Sequence, residues 1–339
     1  MPADAQPPRH TRSSPQLTAP DKAGPAPAPD LSVIIVNWNA RRVLRDCLNS
    51  IVRVPRPISL ELIVIDNGSA DGSCEMIARD FPRIRLIANK TNRGFAAANN
   101  QGIRLARAPY VLLLNPDTIV LDDALEQTLA YARAHPDIAV LGCQVLEGPT
   151  IIQRTCFRFP SPLNTLLWLT GASSRFPRSP ILGRATYGPW DRRSARQVDV
   201  VSGMFMLVPR RAIDDVGLMD DGYFMFTEEA DWCRRFWNAG WRCVFAPVGR
   251  ILHVDGGGKS TGQASVEAHV QMQQSVLRYH RKHLGFLSWM LTKLLFSTSS
   301  LLRTFCWSLC AVFHLGNSPH HKARQSAHAA RFHWTRTGA

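Results

Sequence analysis

Several signatures that would assign the chain to a common class are missing. Eight cysteines are scattered over 339 residues with no CxxC pair and no Cys/His ligand spacing, so neither a zinc site nor a disulfide framework is predicted. Cys47, Cys143 and Cys233 lie in apolar or amphipathic stretches typical of reduced core thiols in a cytoplasmic protein. The usual dinucleotide and phosphate cradles are also absent, because no GxGxxG follows the first predicted strand and no GxxxxGK[ST] occurs.

Acidic residues are missing from residues 268–339, where nine lysines and arginines stand. Most of the formal charge of +14 therefore lies in the last fifth of the chain, which argues against a basic nucleic-acid-binding face on the folded domain. The hydrophobic content of 45% with 19% charged residues is that of a globular protein with a sizeable core.

The start of the chain differs from the remainder. Residues 1–30 are rich in proline and alanine and lack the apolar segment of a secretory signal, so they are predicted to be a disordered leader. We expect a folded domain over residues 31–284 and a helical segment with a basic tail over residues 285–339.

Within that domain, aliphatic runs alternate with amphipathic stretches. The runs LSVIIVNWNA, LELIVID, IRLIAN and YVLLLN predict buried strands, and Asn39 is expected to cap a helix over residues 41–51. The alternation predicts right-handed crossovers, hence an α/β fold with a mainly parallel sheet and flanking helices. Ligands bind beyond the carboxyl ends of such strands, so Asp66 and Asp117 are expected to face one crevice.

A strand-end carboxylate offers an alternative to a phosphate loop. Asp117 is a candidate ligand for Mg²⁺ or Mn²⁺ bridging two phosphates, with Asn115 placed to bind a sugar or ribose. The structural alternatives are that Asp117 caps the next helix and that Asp66 opens an Asx turn in DNGSADGS.

Acidic residues also crowd the start of a later predicted helix, at Glu228, Glu229 and Asp231. A raised pKa from mutual repulsion and partial burial would suit one of them to act as a general base, and Glu228 and Asp231 are expected to share a face. The alternative is a solvated helix start that pairs with Arg234 and Arg235. His253 is a candidate contact for a metal or a phosphate, and the alternative is that it is a structural histidine. Lys259 or Arg93 is a candidate for binding a diphosphate.

Six motifs, in this order along the chain, resemble the family 2 glycosyltransferases with the GT-A (Rossmann-like) fold, most closely the rhamnosyltransferase-like branch. They are LSVIIVNWN, ELIVIDNGSADGS, NRGFAAANNQGI, LLLNPDT, the run from VSGMF to NAGW, and ILHVDGGGKS. The resemblance spans about residues 31–285. It implies an inverting transfer of a sugar from a nucleoside diphosphate sugar to an acceptor hydroxyl, with a divalent metal as cofactor.

The resemblance also implies roles for individual residues. Asp66 would recognise the nucleobase, Asp117 and His253 would bind the metal, and Glu229 would be the base in place of the family's usual Asp, with Glu228 or Asp231 as alternatives. The predicted substrate-binding residues are Asn37, Asp66, Asn67, Asn92, Arg93, Gly94, Asn115 and Gly203. The resemblance to this branch implies dTDP-L-rhamnose as the donor and a lipid-linked saccharide of the cell envelope as the acceptor. One alternative is a transferase that uses a UDP- or GDP-sugar donor. The other is a non-catalytic scaffold that binds a sugar nucleotide.

Residues 285–316 form the most apolar long segment, with Lys293, Ser297, Ser300, Arg303 and Thr304 on one narrow helical stripe. Two cations near the middle argue against a simple membrane span. An interfacial helix or helical pair predicts a cytoplasmic, peripheral membrane protein, whereas the alternative is a helix packed on the domain. Over residues 149–196, whose secondary structure the pattern does not indicate, four arginines are expected to contact a lipid pyrophosphate: Arg154, Arg158, Arg175 and Arg178.

Overall fold

The computed structural model describes residues 27–254 and 265–313. Most of the predicted leader, the glycine-rich loop containing Lys259 and the basic tail after residue 313 lie outside the described residues. Asp30, which the sequence places in the leader, already belongs to the described fold. Its carboxylate accepts a hydrogen bond from the backbone N–H of Ser59 at 2.9 Å and pairs with Arg133 at 2.5 Å.

The centre of the fold is a mixed sheet whose main path runs in the order β3, β2, β1, β4, β11, β6, β12, β5. Its strands, with the short strands β7 and β9 paired at β6 and β12, are β1 Leu31–Asn37, β2 Leu60–Asp66, β3 Arg85–Ala88, β4 Tyr110–Leu114, β5 Thr118–Leu121, β6 Ile138–Glu147, β7 Ile151–Ile152, β9 Arg196–Gln197, β11 Phe205–Pro209 and β12 Arg242–His253. A separate antiparallel pair joins β8 Cys156–Phe157 to β10 Val200–Val201.

The first half of the sheet is parallel, as the aliphatic runs predict. β1 pairs in parallel with β2 and β4, and β2 pairs in parallel with β3. Alternate residues of β1 enter opposite cores, since Ile34 packs on one side of the sheet while Val33 and Ile35 pack on the other. Burial on both faces explains the unbroken aliphatic composition of these strands.

The second half of the sheet is mixed. β11 inserts antiparallel between β4 and β6, and β12 runs parallel to β6 but antiparallel to β5. The pairing of β12 with β5 sets His253 opposite Thr118, directly beside Asp117. This register brings together two chain segments that are distant in sequence.

Helices cover both faces of the sheet. Their bounds are α1 Arg41–Val52, α2 Ser73–Asp80, α3 Phe95–Leu105, α4 Ala124–Ala134, α5 Pro162–Leu169, α6 Ala172–Arg175, α7 Arg210–Val216, α8 Glu228–Asn238, α9 Ser265–His283 and α10 Gly285–Phe313, with a 3₁₀ turn at Arg184–Thr186. The amphipathic pattern of α1 buries Val43, Leu44, Cys47, Leu48 and Ile51.

The predicted cap of α1 by Asn39 is wrong. The side chain of Asn39 instead accepts a hydrogen bond from the backbone N–H of Ala70 at 2.8 Å. The carboxylate of Asp71 accepts from the N–H of Arg41 at 2.8 Å, and so serves the amino end of α1 from the loop after β2. A long-range contact replaces the local cap that the sequence indicates.

The helix α10 turns the serines of its polar stripe inward, while Arg303 of the same stripe is exposed. Ser297 and Ser300 are buried, whereas the apolar side faces outward. Over residues 285–305, whose side chains the structure describes, the exposed large side chains of α10 are Phe286, Leu287, Met290, Leu291, Leu294, Leu301, Leu302 and Phe305. Within the described residues, no helix combines the length and apolar character needed to cross a bilayer.

Gly94 fixes the loop that enters α3. Its φ of +83° is strained for any residue with a Cβ, and a Cβ there would collide with the backbone carbonyl of Phe224. The next residue, Phe95, donates its N–H to that carbonyl at 2.7 Å. Two distant loops are therefore in backbone contact at a position that only glycine satisfies.

We expect Gly94→Ala to lower the free energy of unfolding by about 3 kcal/mol, because it adds a backbone collision to left-handed strain. The matched control is Gly148→Ala, since Gly148 has φ +71° but open space around its Cβ position. That control isolates the conformational cost of about 1 kcal/mol. Equal losses in urea unfolding of the two variants would contradict the proposed close contact.

Candidate active site

A cavity of about 960 Å³ opens at the carboxyl ends of β1 and β4. Its wall combines the β1–α1 loop, the segment after β4, the residues before β11, the start of α8 and the end of β12. The crevice beyond strand ends is the expected ligand position in such a sheet. Eight of the predicted site residues line it, namely Asn67, Asn92, Asn115, Asp117, Gly203, Glu228, Glu229 and His253.

Five predicted residues are not part of the cavity wall: Asn37, Asp66, Arg93, Gly94 and Asp231. Asp66 is 1% exposed and uses its carboxylate within the fold. It accepts hydrogen bonds from the Asn37 side-chain amide and the Ser69 N–H, both at 2.8 Å. The structure therefore favours the turn-forming alternative for Asp66 over a contact with a nucleobase.

A different acid of the same loop reaches the cavity. Asp71 lines the wall and accepts hydrogen bonds from Ser73 and from the N–H of Arg41. Although burial opposes ionisation, the hydrogen bonds from Ser73 and Arg41 lower the pKa of the Asp71 carboxyl. Asp71 is not among the predicted site residues, because it lies five residues beyond the carboxylate that ends the strand.

Cations and an indole were also missed. Arg41, Arg42 and Arg45 of α1 line the cavity together with Trp38. The signal was present in NWNARRVLR, where two arginines follow a strand end within five residues. Their guanidinium groups give the β1 side of the cavity a positive charge that suits phosphate oxygens.

The carboxylate of Asp117 and the imidazole of His253 meet at another part of the cavity wall. Oδ2 of Asp117 lies 3.2 Å from Nε2 of His253, and Nδ1 of His253 lies 3.1 Å from Oε1 of Gln153. In the tautomer in which Nδ1 donates to Oε1 of Gln153, Nε2 of the neutral ring carries a lone pair. Two electron-rich atoms then face one another, as ligands of one cation do.

These two residues fit a divalent metal. Oδ1 of Asp117 is buried and has no hydrogen-bond partner in the part of the chain that the structure describes. Within the same part, no third His, Cys, Asp or Glu joins the pair to make a protein cage. One carboxylate with one imidazole leaves most positions of an Mg²⁺ or Mn²⁺ ion to phosphate oxygens and water.

The acidic pair at the start of α8 is shielded from solvent to different degrees. Glu228 is 4% exposed and Glu229 is half-buried, and Oε2 of each has no hydrogen-bond partner among the described residues. Burial, together with the Glu229 charge beside it, raises the pKa of Glu228 well above its ordinary value. Burial also raises the pKa of Glu229, although backbone hydrogen bonds from Glu229 and Thr227 offset part of this effect.

Asp231 does not share the face of Glu228 that was expected. It is fully buried on the other side of α8, where it contacts Arg235 at 3.0 Å and both Lys282 and His283 at 2.7 Å. Burial alone would raise its pKa, but hydrogen bonds from His283 and Lys282 lower the pKa of Asp231 below its usual range. A permanently ionised, paired carboxylate is a poor general base, so Asp231 anchors α8 to α9.

The four arginines predicted to bind a pyrophosphate do not line the cavity. Arg154 donates to the hydroxyl of Thr186 at 3.1 Å and to the carbonyl of Pro177. Arg158 stacks on Tyr187 and Arg175 on Phe176. Arg178 is exposed on the loop that follows α6.

Comparison with solved structures establishes the fold. A mannosyltransferase, PcManGT from Pyrobaculum calidifontis in complex with GDP-Man and Mn²⁺, superposes with a TM-score of 0.50 at 16% identity, covering 94% of this chain and 90% of that one. GalNAc-T7 with UDP, GalNAc and Mn²⁺ gives a TM-score of 0.53 at 17% identity, over 76% of this chain and 48% of that one. The chain has the GT-A fold, and the predicted fold class is confirmed.

Sequence comparison agrees with the fold. The family profile described as Glycosyl transferase family 2 matches residues 32–164. The N-acetylglucosaminyl-diphospho-decaprenol L-rhamnosyltransferase of Mycobacterium tuberculosis is 27% identical over 235 residues, which cover 66% of this chain and 75% of the relative. The poly-beta-1,6-N-acetyl-D-glucosamine synthase of Staphylococcus epidermidis is 26% identical over 202 residues, 59% of this chain and 43% of the relative.

The profile match and these sequence relatives support a glycosyltransferase. Over residues 32–164 the chain is similar to glycosyl transferase family 2.

We expect Gln153→Met to weaken Mn²⁺ binding about tenfold in the presence of a nucleoside diphosphate, because the imidazole of His253 loses the acceptor that fixes its tautomer. The free Mn²⁺ signal in electron paramagnetic resonance measures this affinity without turnover. Gln153→Glu keeps an oxygen acceptor and should bind within about twofold of wild type. Unchanged affinity in Gln153→Met would contradict the orienting role.

The raised pKa of Glu228 predicts that Glu228→Gln stabilises the protein at pH 8. Above the ordinary carboxyl pKa the unfolded chain releases its proton first, so the buried carboxyl costs stability as pH rises toward its raised folded value. The variant should gain about 1–2 kcal/mol at pH 8 and nothing near pH 4. Exposed Glu147→Gln is the control for urea unfolding, and a Glu228→Gln variant less stable than wild type at pH 8 would contradict the assignment.

Proposed function

We propose that the protein is an inverting glycosyltransferase that moves a sugar from a nucleoside diphosphate sugar to a saccharide acceptor. The observation that carries this proposal is one cavity whose wall holds both the Asp117–His253 pair and the adjacent acids Glu228 and Glu229. The first suits a metal-bound diphosphate and the second suits a hydroxyl that must lose a proton.

The two ends of the donor are assigned from the residues at the wall. The nucleoside lies on the β1 side, where Trp38 offers an aromatic ring and Asp71 an ionised hydrogen-bond acceptor. The diphosphate lies toward Asp117 and His253, with Arg41 or Arg42 available as a further counter-charge. This placement moves the nucleobase contact from Asp66 to the loop residues that reach the cavity.

A divalent metal held by Asp117 and His253 would neutralise the departing nucleoside diphosphate when it is bound. Asn115 and Gly203 lie on the same wall, where an amide and an exposed backbone can position the donor sugar. Gly203 has side-chain atoms of Phe95 at 3.2 Å from its Cβ position, so a larger residue would press on that ring. These contacts orient the anomeric carbon toward the acidic pair.

Glu229 acts as the general base. As the acceptor oxygen forms its bond to the anomeric carbon, Glu229 takes the hydroxyl proton while the bond to the diphosphate oxygen breaks on the opposite face, which inverts the configuration. The raised pKa of Glu229 favours this role, because a carboxylate with a higher pKa is a stronger base and removes the hydroxyl proton more readily. Glu228 keeps its own proton in the buried pair and leaves a single negative charge between them.

The extra methylene of Glu229, relative to the family's aspartate, adds about 1.5 Å of reach. The backbone just before α8 is unusual, since Phe226 and Thr227 both adopt positive φ, at 68° and 69°. Such a conformation turns the helix start relative to an ordinary entry. It supports the hypothesis that the backbone compensates for the longer side chain.

The donor proposed is dTDP-L-rhamnose and the acceptor a lipid-linked saccharide of the cell envelope. The support is the mycobacterial relative, whose name specifies rhamnose transfer to a diphospho-decaprenol saccharide. A UDP- or GDP-sugar is the alternative donor. The enzyme is proposed to work on the cytoplasmic face of the plasma membrane, held there peripherally by residues 285–339.

The proposal predicts that Glu229→Gln lowers kcat by about 10²-fold to 10⁴-fold while nucleotide affinity changes little, because only proton transfer is lost. Asp117→Ala should abolish metal-dependent donor binding as well as turnover. Release of nucleoside diphosphate from dTDP-, UDP- and GDP-sugars measures turnover, and calorimetry measures binding. Exposed Glu147→Gln is the control.

The same panel decides between the alternatives. Wild type that binds nucleotide but turns over no donor would favour the sugar-nucleotide-binding scaffold and refute the enzyme. Full metal-dependent turnover in Asp117→Ala would refute the metal site.

A further inference from the structure

The outward face of α10 has the opposite polarity from that of an ordinary surface helix. Leu287 and Leu294 are 64% and 62% exposed, while Thr292 is fully buried. Surface helices normally turn their apolar stripe toward the core. An apolar stripe that points away from the core indicates a second apolar phase or partner on that side.

Hydrogen bonds hold the polar side of α10 against α9. Nδ1 of His280 lies 2.9 Å from the hydroxyl oxygens of both Ser288 and Thr292. His280 is fully buried, and burial lowers its pKa to about 4, so its ring is neutral at physiological pH. The inward side of α10 therefore carries polar contacts to α9 beside the buried ring of Phe296, while most of its large apolar side chains face outward.

The helix α5 of the glycosyltransferase domain shows the same inversion. Leu163, Leu166 and Trp168 are 44%, 40% and 40% exposed, whereas Asn164 and Thr165 are buried. The side-chain amide of Asn164 donates to the carbonyl of Phe159 at 3.1 Å. Two helices from separate parts of the chain thus have buried polar side chains and solvent-exposed leucines.

The two helices are neighbours. Arg303 of α10 donates to the carbonyl of Leu169, the last residue of α5, at 3.2 Å. On the other side, Trp168 stacks on His269 of α9, with ring centroids 5.9 Å apart. The exposed leucines of α5 therefore lie beside the carboxyl-terminal half of α10.

The charge around these helices identifies the partner. Arg175 and Arg178 are exposed just after α5, Arg303 is exposed on α10, and no acidic residue occurs in residues 268–339. A second copy of the chain would bring these cations against one another, which costs free energy. A bilayer with anionic headgroups complements both the cations and the apolar side chains.

We propose that α5 and α10 form one bilayer-docking surface, with α5 as the half that the glycosyltransferase domain supplies. The proposal rests on the lipid-linked acceptor of the proposed function and adds a contact that the C-terminal segment alone does not provide. Amphipathic Trp168 is suited to the boundary between headgroups and acyl chains.

This surface is connected to the cavity by short routes. Phe157 lines the cavity five residues before α5 begins. The hydroxyl of Ser275 on α9 donates to the carbonyl of Met225, another cavity residue, at 2.7 Å. A lipid-linked acceptor in the docked bilayer would therefore present its saccharide close to the acidic pair.

The test compares two double variants of the full chain with vesicles of phosphatidylcholine alone or mixed with phosphatidylglycerol. Leu163→Ser/Leu166→Ser should lower partitioning onto the anionic vesicles about tenfold. The matched control is Val52→Ser/Val54→Ser, because these valines are 45% and 44% exposed but lie at the last residue of α1 and two residues beyond it. The control should bind as wild type does, and wild type should bind the neutral vesicles more weakly.

Binding of the α5 variant equal to that of wild type would refute the role of α5, as would a wild type that binds neither vesicle. Light scattering that shows a wild-type dimer dissociated by the α5 substitutions would assign the surface to a second copy instead. Donor turnover with a water-soluble acceptor keeps this test separate from the proposed function. The α5 variant should retain that turnover, and its loss there would also refute a purely docking role.

Discussion

The antiparallel pairing of β5 with β12 places the residues of the candidate metal site. His253 lies opposite Thr118 in this ladder, and the N–H of Val254 donates to the carbonyl of Asp117 at 3.0 Å. Two residues separated by 136 positions thus reach 3.2 Å. A slip of one residue would turn the imidazole to the other face of the sheet, so the site depends on this register.

The remaining parts of the cavity are arranged around that pair. The parallel strands β1, β2 and β4 supply loops at one edge, and their polar side chains are used for two separate tasks. Asn37 and Asp66 hold the loops to one another, while Asp71 and the arginines of α1 face the cavity. Another part of the wall is the start of α8, which Asp231 ties to α9 through Lys282 and His283.

The sequence predicts the parallel half of the fold well, because strands buried on both faces leave unbroken aliphatic runs. It predicts Asp117, His253, Glu228 and Glu229 through motif order, and the structure gathers all four at one cavity. It does not predict that Asp66 serves the turn or that Asp231 faces away, because local spacing carries no record of long-range hydrogen bonds. The inward polarity of α10 was equally out of reach, since it depends on His280 in a different helix.

The central claim is that Asp117 and His253 hold the divalent cation of a glycosyltransferase donor site. Anomalous scattering from a crystal grown with Mn²⁺ and a nucleoside diphosphate tests it most directly. The account predicts one strong peak within coordination distance of an Asp117 carboxylate oxygen and Nε2 of His253, with diphosphate oxygens completing the shell. A peak at Glu228 and Glu229, with none beside His253, would contradict it.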